Sequence, residues 1–219
     1  PPTRRQRQMC IRDRNNPTGT AKTLKEIKIF LNNLKDDILV FLDQAYYEYI
    51  EGSEFDIPFS LIDDHPNLVI SRSFSKAHGL AALRLGFCVS NPELSDYLNR
   101  VRQPFNANSL ALDLGKVALS DQEHISKSVK INSSGMERVK KAFTNLDYNF
   151  IESWGNFISF DAKQDSDVAF QYFLEKGVIL RSLKVYEMPH HLRVSIGTEE
   201  EMDFFLQVLE DYEKDLSKK

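Results

Sequence analysis

The segment 71–86, with the sequence SRSFSKAHGLAALRLG, contains a lysine suited to covalent chemistry, because it lies among serines, small residues and apolar residues. Such surroundings partly remove an amine from water, so Lys76 could act as a nucleophile and form a Schiff base with a carbonyl group. The alternative is a surface lysine, which is the commoner situation for lysines in general. Arg84 lies in an apolar stretch of the same segment and needs an anionic partner if it is buried, and a phosphate is a natural one.

Three other segments carry polar residues where a ligand could bind. Asp43 follows the apolar run 38–42. Ligands of α/β proteins bind at the carboxyl ends of strands, although an acid at that place could equally cap a helix or lie in a loop. The segment NNPTG at 15–19 has the composition of a turn, and taken alone it predicts only a turn. Arg193 lies in an alternating strand pattern, where its guanidinium could bind a substrate anion or face solvent.

Helical and strand patterns that would position these residues alternate from residue 20 onward. Thr23 and Glu26 have the spacing of a capping box at the start of a helix with an apolar stripe. Three short apolar runs, at 38–42, 68–71 and 85–89, predict strands. Strands separated by helices indicate a mostly parallel sheet with flanking helices, which is the α/β class.

The second half of the chain has the pattern of a smaller α+β domain. Its predicted strands and helices lie at 157–160, 166–176, 178–181, 192–196 and from Thr198 onward. Gly177 is placed as the C-terminal cap of the first of these helices. A long helical region near 105–130 would join the two parts.

The composition excludes several classes of protein. Of the 219 residues, 42% are hydrophobic and 27% are charged, which is ordinary for a globular chain with a buried core. Apolar runs fall short of a membrane span, and two cysteines, Cys10 and Cys88, fit a reducing compartment. The net charge is −4 although residues 1–14 hold five arginines and one acid. The remainder is therefore distinctly acidic, which argues against nucleic acid as the main partner.

The four segments, taken in order, resemble the fold-type I aminotransferases of class I/II, which depend on pyridoxal phosphate (PLP). The shared motifs are Asn-Pro-Thr-Gly, Asp-x-Ala-Tyr, Ser-x-Ser-Lys-x-x-Gly-Leu-Ala and Arg-Val-Ser-Ile-Gly, from about residue 15 to the last helix. Three further segments are similar to the histidinol-phosphate aminotransferases: RQPFNAN at 102–108, GNF at 155–157 and GVILR at 177–181.

The resemblance implies cofactor roles for the residues near the ring of PLP. Lys76 would hold the cofactor covalently and later move a proton as the free amine. Asp43 would pair with the pyridine nitrogen and keep it protonated, so that the ring remains an electron sink. Tyr46 and Asn16 would bond the ring's 3′ oxygen, and Asn16 is also placed on the substrate side.

The resemblance also implies two phosphate-binding groups. Ser73 and Arg84 would hold the cofactor phosphate, with Ser75 as a weaker candidate. Arg193 would bind an anionic group of the substrate, and Arg181 would join it on a substrate phosphate, since two arginines from neighbouring strands suit a dianion. No metal site is predicted.

Three residues depart from the family pattern or invite another role. Gln44 stands where the family often has Glu, and little effect is expected because it points away from the ring-binding acid. Ala82 replaces a frequent Gly, so a close backbone approach there becomes less certain. For His78 we expect a loop or packing role, because Lys76 already supplies the proton transfer.

The start of the chain differs most from the family. Residues 9–14, MCIRDR, do not have the pattern of the buried strand that precedes the Asn-Pro-Thr-Gly turn, so 1–14 is predicted to be a disordered or foreign lead-in. Residues 15–115 would form a partial PLP-binding large domain with the start of the interdomain helix, and 116–219 a C-terminal small domain. The sequence is interpreted as a C-terminal fragment that lacks the helix N-terminus cradling the cofactor phosphate, which would weaken PLP binding.

The activity that the resemblance implies is transamination of histidinol phosphate with 2-oxoglutarate, giving imidazole acetol phosphate and glutamate in histidine biosynthesis. The protein would be a cytoplasmic homodimer that acts on small molecules and binds neither nucleic acid nor membrane. Within PLP enzymes, the alternatives are another class I/II aminotransferase, for example for aromatic amino acids, and a lyase like threonine-phosphate decarboxylase. A further alternative is a catalytically inactive fragment.

Overall fold

The computed structural model of the chain describes residues 8–12, 15–35, 37–50 and 52–218. Within these residues it forms two compact units. The N-terminal unit contains 8–12 and 21–125, and the C-terminal unit contains 15–20 and 126–218. The short segment 15–20 therefore belongs to the unit formed by the second half of the chain.

The N-terminal unit is built on a sheet that has, among the described residues, four strands in the order β1-β2-β3-β4. These strands are β1 Gln8–Arg12, β2 Leu39–Asp43, β3 Leu68–Ser73 and β4 Gly86–Ser90. The first three are mutually parallel and β4 runs antiparallel to β3. The predicted α/β class with a mostly parallel sheet is confirmed, and the strands lie close to the predicted runs.

The helices of this unit follow the sequence signals for helix starts. They are α1 Leu24–Asn32, α2 Leu61–Asp64, α3 Pro92–Val101 and α4 Ser109–Ser120. Thr23 caps α1, and Glu26 completes the predicted capping box. Asn91 caps α3, where proline occupies the first turn. The apolar stripe of α1 packs on the strands through Ile27 and Leu31.

The C-terminal unit has a second sheet, antiparallel throughout, with four strands in the order β5-β6-β8-β7 among the described residues. Its elements are the part of α5 Gln122–Asn145 from residue 126 onward, β5 Phe150–Ile151, β6 Phe157–Asp161, α6 Ser166–Glu175, β7 Arg181–Ser182, β8 His191–Ser195 and α7 Glu199–Leu216. Gly177 adopts φ +86° just beyond α6, as predicted for a helix cap. The strand predicted at 178–181 is shorter and shifted toward Arg181 and Ser182.

The predicted domain division differs from these units at two places. The boundary falls near residue 125 rather than 115, because α4 packs in the N-terminal unit, where Ala111 lies in a cluster with Phe74 and Leu85. Segment 15–20 leaves the predicted large domain because its backbone bonds to the turn before β6, where the Trp154 amide donates to the Gly19 carbonyl.

The structure also differs from the disorder predicted for the lead-in. Residues 8–12 form β1, which pairs in parallel register with β2 from Gln8 opposite Leu39 to Arg12 opposite Asp43. A strand is favoured there because the ladder satisfies backbone groups along the edge of β2, and the centre of the segment, MCI, is apolar. The other residues of the predicted lead-in, 1–7 and 13–14, lie outside the described residues.

No helix within the described parts of the chain is long and apolar enough to cross a membrane. Nor do the described residues contain a cluster of three or more His, Cys, Asp or Glu that could hold a metal ion.

Helix α7 provides a direct test of the core of the C-terminal unit. Phe205 is 2% exposed and its neighbour Phe204 is 47% exposed. We expect Phe205→Ala to lower the free energy of unfolding by about 3–5 kcal/mol, since it leaves a cavity in an aromatic core. Phe204→Ala is the matched control and should cost less than about 1 kcal/mol. Urea unfolding followed by the fluorescence of Trp154, the one tryptophan of the chain, measures both; equal losses would contradict the packing.

Candidate active site

Lys76 lies in the turn that follows β3, and its neighbours hold it there. Phe74 and Ala77 are buried on either side of it, and the amide of Gly79 donates to the Lys76 carbonyl at 2.9 Å. Its Nζ lies 5.0 Å from the centre of the Tyr46 ring, and that ring is only 6% exposed. The lysine is half-buried, so the amine stands against an aromatic face rather than in open solvent.

Asp43 ends β2, directly beside the strand that leads to Lys76. It pairs in register with Ser71 of β3, and its Oδ1 accepts a hydrogen bond from the Ala45 amide at 3.0 Å. Since β2 and β3 are parallel, the turns that follow them leave from the same edge of the sheet. The fold therefore brings Asp43, Tyr46 and Lys76 to one carboxyl edge within the N-terminal unit.

Ser73 and Ser75 form a local turn at the end of β3. The amide of Ser75 donates to Ser73 Oγ at 3.0 Å. Ser73 lies opposite Gly86 of β4, where a Cβ would come within 2.8 Å of the Arg72 carbonyl oxygen. Glycine is therefore needed at this position, because backbone atoms cannot give way as a flexible side chain can.

Arg84 lies on the surface of the N-terminal unit, in the left-handed conformation with φ +52°. One guanidinium nitrogen donates to the Ala81 carbonyl at 2.9 Å. The argument that a buried Arg84 requires an anion thus does not apply, and its phosphate role stays a prediction. Ala82 is also exposed, so its methyl group is not packed into a core.

Gln44 is fully buried next to Asp43, and its contacts give it a structural role. Its amide oxygen accepts from Arg72 Nε at 3.3 Å. The Arg72 guanidinium carbon lies 3.3 Å from the centre of the Tyr47 ring and 4.3 Å from that of Phe59. Here the neutral amide and two aromatic faces accommodate the cation.

A buried pair that the sequence reasoning did not identify joins the two site loops. His78 Nε2 lies 3.5 Å from Glu48 Oε1, and these side chains are 8% and 11% exposed. The pair stands two residues beyond Lys76 on one loop and two beyond Tyr46 on the other. Burial raises the pKa of the adjacent Tyr49 to about 12, and the Glu48 carboxylate adds to the shift, so this phenol is neutral at physiological pH.

The pair fits the packing role expected for His78, and a double-mutant cycle measures its strength. We expect His78→Ala and Glu48→Ala to show a coupling energy of about 1–3 kcal/mol, because each deletion leaves a buried polar partner. The exposed pair Asp113 and Lys116 in the same unit is the control and should couple by less than about 0.5 kcal/mol. Hydrogen exchange of β3 amides measures the coupling energy of both pairs. Similar energies for the buried pair and the exposed pair would contradict the proposal that His78 and Glu48 hold the two loops together.

The second group of candidate residues lies on the sheet of the C-terminal unit. Arg181 of β7 and Arg193 of β8 are directly opposite each other in the antiparallel ladder, so they share one face with their Cβ atoms about 5 Å apart. The Arg193 guanidinium lies 4.8 Å from the centre of the Phe157 ring. Its Nε is buried and has no hydrogen-bond partner among the described residues.

Asn16 belongs to this second group, because its Oδ1 accepts a hydrogen bond from Arg193. It sits in a turn closed by the Gly19 amide, which donates to the Asn15 carbonyl at 2.6 Å. Gly19 has φ +78°, a conformation that favours glycine. The predicted turn is confirmed. The Asn16 side chain accepts through Oδ1, and its other polar atom, Nδ2, is a donor.

The predicted residues thus fall into two groups, one in each unit. The N-terminal unit holds Asp43, Tyr46, Ser73, Ser75, Lys76 and Arg84, and the C-terminal unit holds Asn16, Arg181 and Arg193. The first group combines an amine, a carboxylate, a phenol and hydroxyls. The second presents two cations that form no ion pair with an acidic side chain among the described residues. Like charges placed opposite each other on a sheet are unfavourable, so the second group is suited to an anionic ligand.

Comparison with known proteins agrees with this chemistry. The sequence profile described as "Aminotransferase class I and II" matches residues 2–209. Histidinol-phosphate aminotransferase 1 of Nitrosococcus oceani is 45% identical over 204 residues, which is 93% of this chain and 55% of that protein. Histidinol-phosphate aminotransferase 2 of Pseudomonas aeruginosa is 45% identical over 203 residues, with the same coverage of 93% and 55%.

The solved structures agree on the fold. Histidinol-phosphate aminotransferase from Sinorhizobium meliloti, determined in complex with pyridoxal-5′-phosphate, superimposes with a TM-score of 0.87 at 23% identity. The match covers 95% of this chain and 58% of that one. The chain spans about half the length of the curated relatives it matches, 55% of each of the two proteins above. Because the family profile matches nearly its full length, the chain belongs to the class I and II aminotransferases.

Proposed function

We propose that this protein transfers an amino group from histidinol phosphate to 2-oxoglutarate, using PLP and producing imidazole acetol phosphate and glutamate. The observation that carries the proposal is the Arg181 and Arg193 pair, in which two guanidinium groups share one face of a sheet. In a class I and II aminotransferase, such a pair suits a substrate that carries a phosphate. The similarity to two histidinol-phosphate aminotransferases, each at 45% identity, supports the same substrate.

The chemistry of the donor set in the N-terminal unit supports binding of PLP. Lys76 offers an amine for the aldehyde, and Asp43 offers a carboxylate for the pyridine nitrogen. Tyr46 offers a phenol for the ring oxygen of PLP. The Tyr46 side chain is buried, and the centre of its ring lies 5.0 Å from Lys76 Nζ. Ser73, Ser75 and Arg84 offer hydroxyl and guanidinium donors for the phosphate.

The proposed chemistry divides between the cofactor and the chain. When bound, PLP supplies an electron sink that stabilises negative charge at the substrate Cα. Lys76 Nζ serves as the general base that removes the proton from that carbon. Asp43 holds a proton on the pyridine nitrogen by pairing with it. Arg193 and Arg181 bind the substrate phosphate.

Two finer statements complete the proposal. The first is that the protein is a homodimer, which the family membership supports and which light scattering on the purified chain measures. The second is that it works in the cytoplasm, which the free thiol of Cys88 supports because reducing conditions preserve thiols.

A substrate comparison tests the proposed activity. Purified protein with PLP and 2-oxoglutarate is given histidinol phosphate, an aromatic amino acid or threonine phosphate, and glutamate and carbon dioxide are measured. We expect glutamate from histidinol phosphate, with kcat/KM at least about tenfold above the aromatic amino acid, since the phosphate adds charge-assisted hydrogen bonds. Preference for the aromatic amino acid, carbon dioxide from threonine phosphate, or no turnover of any substrate would each contradict the proposal.

A further inference from the structure

Ser159 makes a buried contact that joins β6 to the Asn-Pro-Thr-Gly turn. Its side chain is 0% exposed, and its Oγ donates a hydrogen bond to the Pro17 carbonyl at 2.6 Å. The two residues are 142 positions apart in the sequence, so this contact depends on the fold of the whole C-terminal unit. A proline carbonyl in a turn has no strand or helix partner of its own, and Ser159 satisfies it.

The sheet register places this serine beside the arginine of the candidate substrate site. Ser159 of β6 lies directly opposite Arg193 of β8, so their side chains emerge on the same face. Arg193 in turn donates to Asn16, the residue before Pro17. The three contacts close a ring that runs from Ser159 to Pro17, along the chain to Asn16, and through Arg193 back across the ladder.

A second attachment fixes the other end of the same turn. The Trp154 amide donates to the Gly19 carbonyl at 2.9 Å. A Cβ at Gly19 would overlap Oγ of Ser153, which itself donates to the Phe157 carbonyl at 2.5 Å. The turn is therefore fitted closely against the strand that carries Ser159.

We propose that Ser159 is a positioning residue that anchors the turn 15–19 on the face of the sheet that carries Arg193. By fixing Asn16 it sets the direction of the Arg193 guanidinium, and so the affinity for an anion at that site. The anchoring stands on the hydrogen bonds alone, and its effect on anion binding rests on the function proposed above. Loss of the hydroxyl leaves the Pro17 carbonyl buried without a donor, so the turn should detach more often.

Amide hydrogen exchange in the full chain, measured residue by residue by NMR without ligand, tests the anchoring. We expect Ser159→Ala to speed exchange of the Gly19 and Trp154 amides by about tenfold or more, given the typical cost of an unsatisfied buried acceptor. Ser166→Ala is the matched control, since Ser166 is also 0% exposed and bonded by its hydroxyl, to Ser182 at 2.9 Å. The control should leave both amides unchanged.

A second measurement reads the consequence at Arg193. We expect Ser159→Ala to weaken binding of inorganic phosphate, measured by calorimetry, by about fivefold to tenfold, as for one misdirected charged hydrogen bond. Ser159→Thr, which keeps the hydroxyl, should restore both slow exchange and phosphate affinity. Unchanged exchange at Gly19 and Trp154 in Ser159→Ala, or an equal rise in Ser166→Ala, would overturn the proposal. If the wild-type chain bound no phosphate, the substrate assignment would fail while the exchange rates still decided the anchoring.

Discussion

Replacement of Lys76 by alanine is expected to abolish covalent attachment of PLP and to lower the transamination rate by at least about 1000-fold. The reason is that one nitrogen has two tasks, holding the cofactor and moving the substrate proton, and general acid–base catalysis alone contributes about 10²- to 10⁴-fold. The turn after β3 holds this amine against the Tyr46 ring, and Lys76→Ala removes the amine from that position. Absorbance of the protein–PLP complex and the rate of glutamate formation are the two measurements.

Two variants control this experiment. Lys76→Arg keeps the positive charge near Tyr46 but cannot bond to an aldehyde, so it should be as inactive as Lys76→Ala. Lys116→Ala removes a lysine that is 77% exposed in the same unit and should leave both readouts unchanged. Covalent PLP and full activity in Lys76→Ala would show that another lysine carries the chemistry.

Replacement of Arg193 by glutamine should weaken binding of histidinol phosphate by about 10- to 100-fold, the range expected for a hydrogen bond to a charged group. Arg193 is expected to have the larger effect of the pair, because it is bonded to Asn16 and stacked on Phe157, whereas Arg181 is exposed. The change should appear in KM more than in kcat, since the phosphate is bound equally in the ground and transition states. Steady-state kinetics with varied histidinol phosphate measure it.

Arg138→Gln is the matched control for this prediction. Arg138 lies in the same unit, and its charge is already paired with Asp203 and Glu199. It should therefore leave KM within about twofold, as for a surface ion pair. An aromatic amino acid as donor adds an independent check, because its KM should not respond to loss of a phosphate contact. A KM for histidinol phosphate that is unchanged in Arg193→Gln would contradict the assigned role.

The sequence predicted well where a single local pattern decides the outcome. The capping box at Thr23, the cap at Gly177 and the apolar runs of β2 and β3 all formed as expected, since each depends on neighbours within a few positions. The pairing of Arg181 with Arg193 agrees with what the family resemblance implied, that the two arginines lie on neighbouring strands.

Long-range pairing is where the sequence patterns were insufficient. The short segment 8–12 carries too few apolar residues to predict a strand, and β1 forms because the edge of β2 offers backbone partners. The assignment of 15–20 to the C-terminal unit depends on Ser159 and Trp154, more than 130 residues away, and no local pattern indicates it. The buried pair of Glu48 and His78 likewise joins two loops whose proximity comes only from the parallel register of β2 and β3.

Mapping of the PLP attachment site tests the central claim most directly. The full chain is incubated with PLP, reduced with borohydride, digested and analysed by mass spectrometry. The proposed site predicts a pyridoxyl group on Lys76 at near-stoichiometric occupancy, with exposed lysines such as Lys22 and Lys116 labelled only at trace levels. Labelling spread over exposed lysines, or none on Lys76 at saturating PLP, would contradict it.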